Sequence, residues 1–184
     1  MPIAFQSPLR NSRLWRWLPA LCLACGLALA QPVNEDEMKG IYIYKFLKFI
    51  EWPPSAFAPG DDSFRVCVAG EEHVKALADT LDRQPLKDRK IALVNLAKKG
   101  QISSCQVVFI SSGESWRYKS ILSEIGNHPT LTISDIPDFA RQGGMIEFLF
   151  EGDKLSFSIN QFEAKRVDIY INSQLLALAK NVIK

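Results

Sequence analysis

The run "FRVCVAGEEHVK", residues 64–75, decides how the chain folds. Its first seven positions, 64–70, form a compact apolar strand pattern, and Gly70 separates it from a helical pattern over 71–82. The same alternation continues downstream. "KIALVN" at 90–95 is a second strand, and "QVVFIS" at 106–111 is a third, rich in β-branched and aromatic residues. A helix over 114–126 follows and stops at Gly126-Asn127 ahead of Pro129. "TLTIS" at 130–134 is a fourth strand before a short helix at 136–141. Serines 111 and 112 are capping candidates at the start of the 114–126 helix.

The C-terminal third changes character. "GMIEFLFEGDKLSFSIN" holds strands at 145–150 and 154–159, joined by Glu151-Gly152-Asp153 as a hairpin. Leu155, Phe157 and Ile159 alternate with Ser156 and Ser158, so one face is buried and the other wetter. Asn160 with Glu163 three residues on predicts a capped helix over 161–166. "DIYIN" at 168–172 is a further candidate strand, and 173–183 reads as a closing helix carrying Leu175, Leu176 and Leu178. The expected fold is therefore α/β. It is a single-domain sandwich with a mostly parallel central sheet flanked by helices and an antiparallel hairpin near the C-terminus. A 2-1-3 strand order would make neighbours of the strand holding Cys67 and the strand that Cys105 precedes.

Upstream of the first strand, "KFLKFIEWPPSAF" at 45–57 ends a helical pattern over 36–52. At 100° per residue, Phe49, Tyr42, Phe46, Ile50, Ile43 and Leu47 fill an arc of about 160°, wide enough to face a core. Lys45, Lys48 and Glu51 mark the opposite side, yet Ile41, Tyr44 and Trp52 share it. The i,i+4 spacing lets the Lys48 stem lie over the Trp52 indole. Either later loops cover these residues, or Tyr44, Lys48 and Trp52 form a partner-binding patch. Pro53 and Pro54 end the helix.

The N-terminus reads as an export signal. Arg10, Arg13 and Arg16 precede "LPALCLACGLALA" at 18–30, a short apolar run ending in small residues. Residues 1–30 are the expected signal peptide, cleaved after Ala30 to leave residues 31–184 as one periplasmic domain. The full chain carries 22 basic and 20 acidic residues; without the three signal arginines the mature balance is 19 to 20. That near-neutral surface gives no electrostatic reason to bind nucleic acid. Cys22 and Cys25 leave with the signal, and Cys67 and Cys105 remain. In an oxidising compartment they suggest one disulfide, with two buried free thiols as the alternative.

Catalytic patterns fail one by one. The histidines are His73 and His128. His73 sits in "GEEHVK", where Glu71 and Glu72 read as acidic residues favouring a helix N-terminus, and His128 precedes a proline in a turn. Metal-ligand spacings, dinucleotide glycines and a GxSxG elbow are all missing. The chain is read as a non-enzyme, with no catalytic residues, metal ligands or cofactor.

Taken together, "YIYKFLKFIEWP", "SFRVCVAGEE", "CQVVFIS", "TLTISDIPDFARQGGMIEFLFEGDKLSFSIN" and "INSQLLALAK" resemble the YfiR family of small periplasmic proteins, in the family's order across about residues 38–182. The resemblance implies a non-enzymatic regulator that binds the periplasmic part of an inner-membrane diguanylate cyclase and represses it. Cyclic-di-GMP and biofilm formation then stay low. It further implies that an OmpA-like outer-membrane lipoprotein can sequester the repressor, that redox state can affect its folding, and that the Cys67–Cys105 disulfide carries over. A second cysteine pair that some relatives hold near the Gly143-Gly144 strand is missing here. A homodimer is the remaining partner expectation. The alternative function is a periplasmic small-ligand sensor using the crevice at the strand ends.

Overall fold

The computed structural model describes residues 34–82, 84–96, 102–152 and 154–184. The expected signal peptide and its cleavage after Ala30 lie outside these residues, as does Asp153 of the hairpin turn. In chain order the elements begin with α1 (Glu35–Phe49), β1 (Ile50–Glu51), β2 (Ser63–Ala69), α2 (Glu71–Leu81), β3 (Pro85–Leu86) and β4 (Arg89–Asn95). Next come β5 (Val107–Ile110), α3 (Tyr118–Ile125), β6 (Leu131–Ser134), β7 (Ile146–Glu151) and β8 (Lys154–Asn160). The chain closes with α4 (Gln161–Arg166), β9 (Tyr170–Ile171), α5 (Ser173–Leu178) and β10 (Asn181–Ile183).

The fold is mixed α/β. Eight strands form one mostly parallel sheet in the order β10-β8-β7-β6-β5-β2-β4-β3, and β1 and β9 make a separate antiparallel pair. The order β4-β2-β5 is a 2-1-3 arrangement, which the sequence pattern left open, and Val66 of β2 pairs with Val107 of β5. β5 and β6 are buried along their whole length, as strands covered on both faces must be.

Period-two alternation sorts their side chains into two cores. Val66, Val68, Val107 and Phe109 face α1 and α2, where Ile43, Phe46, Leu47, Leu77 and Leu81 meet them. Cys67, Ala69, Val108 and Ile110 face the other way, toward Tyr118, Ile121 and Ile125 of α3. On the first side, Phe46 packs against Phe157 and Phe148 of the hairpin, with ring centroids 4.8 and 5.8 Å apart. The second core holds the Cys67–Cys105 disulfide, whose Cα atoms are 5.9 Å apart. It ties β2 to the turn that feeds its neighbour β5.

Several element boundaries differ from expectation. The first helix stops at Phe49 rather than 52, because Ile50 and Glu51 become extended and pair with Ile171 and Tyr170. The candidate strand at 168–172 is thus partnered by β1, directly after α1, and stands outside the main sheet. The closing helix also ends early, at Leu178. Ala179 turns extended, the Lys180 N–H donates to the Phe157 carbonyl at 2.8 Å, and Asn181–Ile183 joins β8 in parallel. Leu175 is buried, whereas Leu178 is exposed.

The expected helix over 114–126 begins instead as a 3-10 turn at Ser112–Glu114, capped by the Ser111 hydroxyl, and becomes α-helical only at Tyr118. The short helix at 136–141 is a 3-10 turn, Phe139–Gln142. Asn160 caps α4 by accepting from the Glu163 N–H at 3.1 Å. The Glu163 carboxylate pairs with Arg166 at 2.8 Å.

Two stability outcomes follow from this packing. Replacing both Cys67 and Cys105 with alanine is expected to cost about 4 kcal/mol through the 38-residue separation it frees, read as a lower urea midpoint. Gly144 has no room for a side chain: a Cβ would enter the ring of Phe139, which is itself fully buried. Gly144→Ala should therefore destabilise by about 1–3 kcal/mol in the same measurement.

Candidate functional site

The carboxyl ends of β2, β5 and β6 deliver Gly70, Ser111 and Asp135 to one edge of the sheet. The chain leaves β2 toward β4 and then crosses back to β5, so strand order reverses between β2 and β5. In open α/β sheets that reversal makes the usual ligand crevice. Here the chain's own side chains occupy it. Gly70 adopts φ +125°, and a Cβ there would lie 2.7 Å from the Ser111 Cβ, so only glycine lets the two strand ends approach.

Into this edge α1 inserts Lys39, whose side chain is 4% exposed. Its Nζ lies 2.7 Å from Asp135 Oδ2 and 3.4 Å from Asp36 Oδ1. Asp135 uses its other oxygen to accept from the Ser112 N–H at 2.6 Å. Asp36 also meets His73 Nδ1 at 2.8 Å, and His73 Nε2 lies 3.3 Å from Glu72 Oε1. Glu72 in turn accepts from the Ser111 hydroxyl at 3.2 Å. Burial by itself would lower the Lys39 pKa, but the hydrogen bonds and charges of Asp135 and Asp36 outweigh it and raise the pKa above its ordinary value. The Glu72 carboxyl is held below its ordinary value, mainly by its own backbone N–H at the start of α2, then by Ser111 and His73 against the cost of desolvation.

The sequence pattern makes His73 part of an ordinary acidic helix start. Glu71 and Glu72 do occupy the first turn of α2, but the helix start also joins a network spanning four elements. Lys39 and Asp135 carry no sequence signal of pairing, being 96 residues apart, whereas Asp36 and Lys39 have the i,i+3 spacing of a helical ion pair. The local hint was Asp135 directly after an apolar strand, where Gly70 stands in the first strand–helix unit.

The aromatic patch expected on α1 is only partly free. Trp52 is half-buried, packs edge-on to Phe64 at 4.9 Å and donates its indole N–H to the Gln106 carbonyl at 3.0 Å. Tyr44 is half-buried and donates its hydroxyl to the Pro85 carbonyl at 3.0 Å. Lys48 is exposed, and its ammonium lies over the Tyr44 ring at 4.3 Å rather than over Trp52. The reason is the early end of α1: Trp52 is no longer helical, so the i,i+4 geometry with Lys48 is lost. Beside Trp52 opens a cavity of about 390 Å³, bounded on the far side by the turn between β3 and β4.

Among the described residues, no group of three His, Cys, Asp or Glu side chains is placed to hold a metal, and no helix is long and apolar enough to cross a membrane.

A doubly covered α/β sheet with its ligand crevice filled from within is the class of protein these features define. The chain belongs to the YfiR/HmsC-like family, whose model matches residues 36–180. Among solved structures it is similar to a conserved domain protein from Vibrio cholerae, at 11% identity and a TM-score of 0.53. That similarity covers 80% of this chain and 60% of the other, and at this identity it concerns the fold alone. No curated protein matches the chain significantly.

Lys39→Met leaves Asp135 and Asp36 without their shared cation, and the expected cost is about 3–5 kcal/mol in chemical denaturation. Glu72 contributes stability above its ordinary titration range and loses it as pH falls. Glu72→Gln should therefore lose less stability than the wild type between pH 7 and pH 4, read as urea midpoints at each pH.

Proposed function

We propose that the protein is a periplasmic regulator that binds the periplasmic part of an inner-membrane diguanylate cyclase and represses it, lowering cyclic-di-GMP and biofilm formation. Its membership of the YfiR/HmsC-like family over residues 36–180 is the observation that carries this reading. The interior agrees with a role exercised at the surface. No buried side-chain nitrogen or oxygen among the described residues lacks a hydrogen-bond partner, so the interior polar groups are committed to the fold. A protein of this kind acts by binding two states of its partner unequally, and only that difference shifts the partner's equilibrium. Tyr44 and Lys48, on the outer side of α1, and Trp52, just beyond its end, are the proposed partner-binding residues. An OmpA-like outer-membrane lipoprotein and a second copy of the chain are the further proposed partners.

The small-ligand sensor is the competing function, and it has less room at the strand ends, where Lys39 and Asp135 already fill the crevice.

Deleting the gene should raise cyclic-di-GMP only in cells that contain the cognate membrane cyclase. An unchanged level in the deletion strain would sink the proposal. Replacing Tyr44 and Trp52 with alanine separates the two roles of the helix face: lost repression at an unchanged denaturation midpoint assigns them to the partner, and a lowered midpoint assigns them to the core.

A further inference from the structure

The cavity beside Trp52 has the anatomy of a receptor for one large side chain. Leu47, Ile50 and Leu86 line it, all three buried. Its walls are aromatic: Trp52 and Phe57 both pack on Phe64, with centroids 4.9 and 6.2 Å away. At about 390 Å³ it has room for a large apolar side chain with part of its backbone. The exposed ionic residues Glu51, Asp62, Lys87 and Asp88 line it as well, with half-buried Arg89. An apolar centre inside a wet polar rim is how protein interfaces are built. Small-ligand sites instead converge a few buried polar groups on their occupant.

The rim charges are unequal in what they are free to do. Arg89 lays its guanidinium over the Phe57 ring at 4.0 Å and donates to the Asp61 carbonyl. Lys48, just outside, rests on Tyr44. Glu51, Asp62 and Asp88 are exposed and, among the described residues, make no ion pair, so three carboxylates stand against the two cations Lys87 and Arg89 and the lining carries one net negative charge. Lys87 itself takes φ +51° in the turn that closes the far wall, a conformation non-glycine residues rarely adopt.

We propose that this cavity, between the end of α1 and the β3–β4 turn, is the docking site for a large apolar side chain flanked by basic residues in a segment of the protein partner. This rests on the regulatory reading above and names the surface and the partner chemistry it would use. Trp52, on one wall, links it to the Tyr44–Lys48 face.

The test compares the exported protein with a Glu51→Lys/Asp62→Lys/Asp88→Lys variant for binding to the purified periplasmic domain of the cyclase. Lys45→Glu, on the same helix but away from the cavity, is the control. The expected result is affinity about tenfold weaker for the triple variant, mostly through slower association that also loses its salt dependence, with the denaturation midpoint and the control unchanged. If the triple variant's midpoint falls, the single Glu51→Lys and Asp62→Lys variants carry the comparison. Equal binding by wild type and variants overturns the docking site and leaves the regulatory reading standing. If the wild type does not bind the cyclase domain, that reading fails, and two capped peptides test the cavity directly. A Lys-Phe-Lys peptide that shifts the Trp52 indole N–H resonance, where Glu-Phe-Glu does not, upholds the docking chemistry. Equal shifts, no shifts, or the same shift from free phenylalanine irrespective of the rim charges overturn it.

Discussion

A lysine ammonium removed from water must be met by carboxylates, and that requirement organises this protein from Lys39 outward. Lys39 is on α1, and its partners Asp135 and Asp36 lie at the end of β6 and on its own helix. The contact therefore seats α1 across the carboxyl edge of the parallel sheet. His73 and Glu72 extend the network to α2 and the end of β5. A buried ion pair of this kind adds little net stability over a well-packed apolar substitute. What it does supply is position: α1 has one register on the sheet in which its cation is satisfied.

With that register set, the two sides of α1 separate in role. Its inward aromatic side meets the hairpin through Phe46 and the Tyr42 ring, whose hydroxyl also bonds the Leu155 carbonyl at 3.2 Å. Its outward side presents Tyr44 and Lys48, and the chain beyond its end places Trp52. Tyr44 and Trp52 are tethered by single hydrogen bonds to Pro85 and Gln106. Gln106 is itself a junction, accepting from Arg65 N–H at 2.7 Å and donating to the Ala56 carbonyl at 2.6 Å. The loop behind the Trp52 cavity is thus fastened to the centre of the sheet. A surface held this way costs little conformational entropy when a partner docks.

Much of the architecture was legible because it depends on local repetition. Apolar strands of four to seven residues alternating with helical patterns imply a parallel sheet covered on both faces, and β2, β5 and β6 have that form. Hairpin and cap were legible for the same reason, since Gly152 and Asn160 act within a few residues of themselves. The errors cluster where a distant strand captured the backbone. Ile50 and Glu51 continue a helical pattern, yet Tyr170 and Ile171 offer them a ladder. Asn181–Ile183 follow a leucine-rich helix, yet the open edge of β8 draws them into the sheet. The Lys48–Trp52 stacking failed with the helix end on which it depended.

The sequence by itself determined the fold class, the sheet flanked by helices and the family resemblance, while the 2-1-3 order that makes neighbours of Cys67 and Cys105 was only a condition until the structure supplied it. The first three follow from periodicity, spacing and motif order along the chain. Tertiary structure alone decided that Lys39 reaches Asp135, that His73 meets Asp36, and that Trp52, Phe57 and Leu86 bound one cavity. Those pairings join residues tens of positions apart. They exist only because the crossover from β4 back to β5, and the return of the chain to α1, bring the groups within hydrogen-bonding or packing distance.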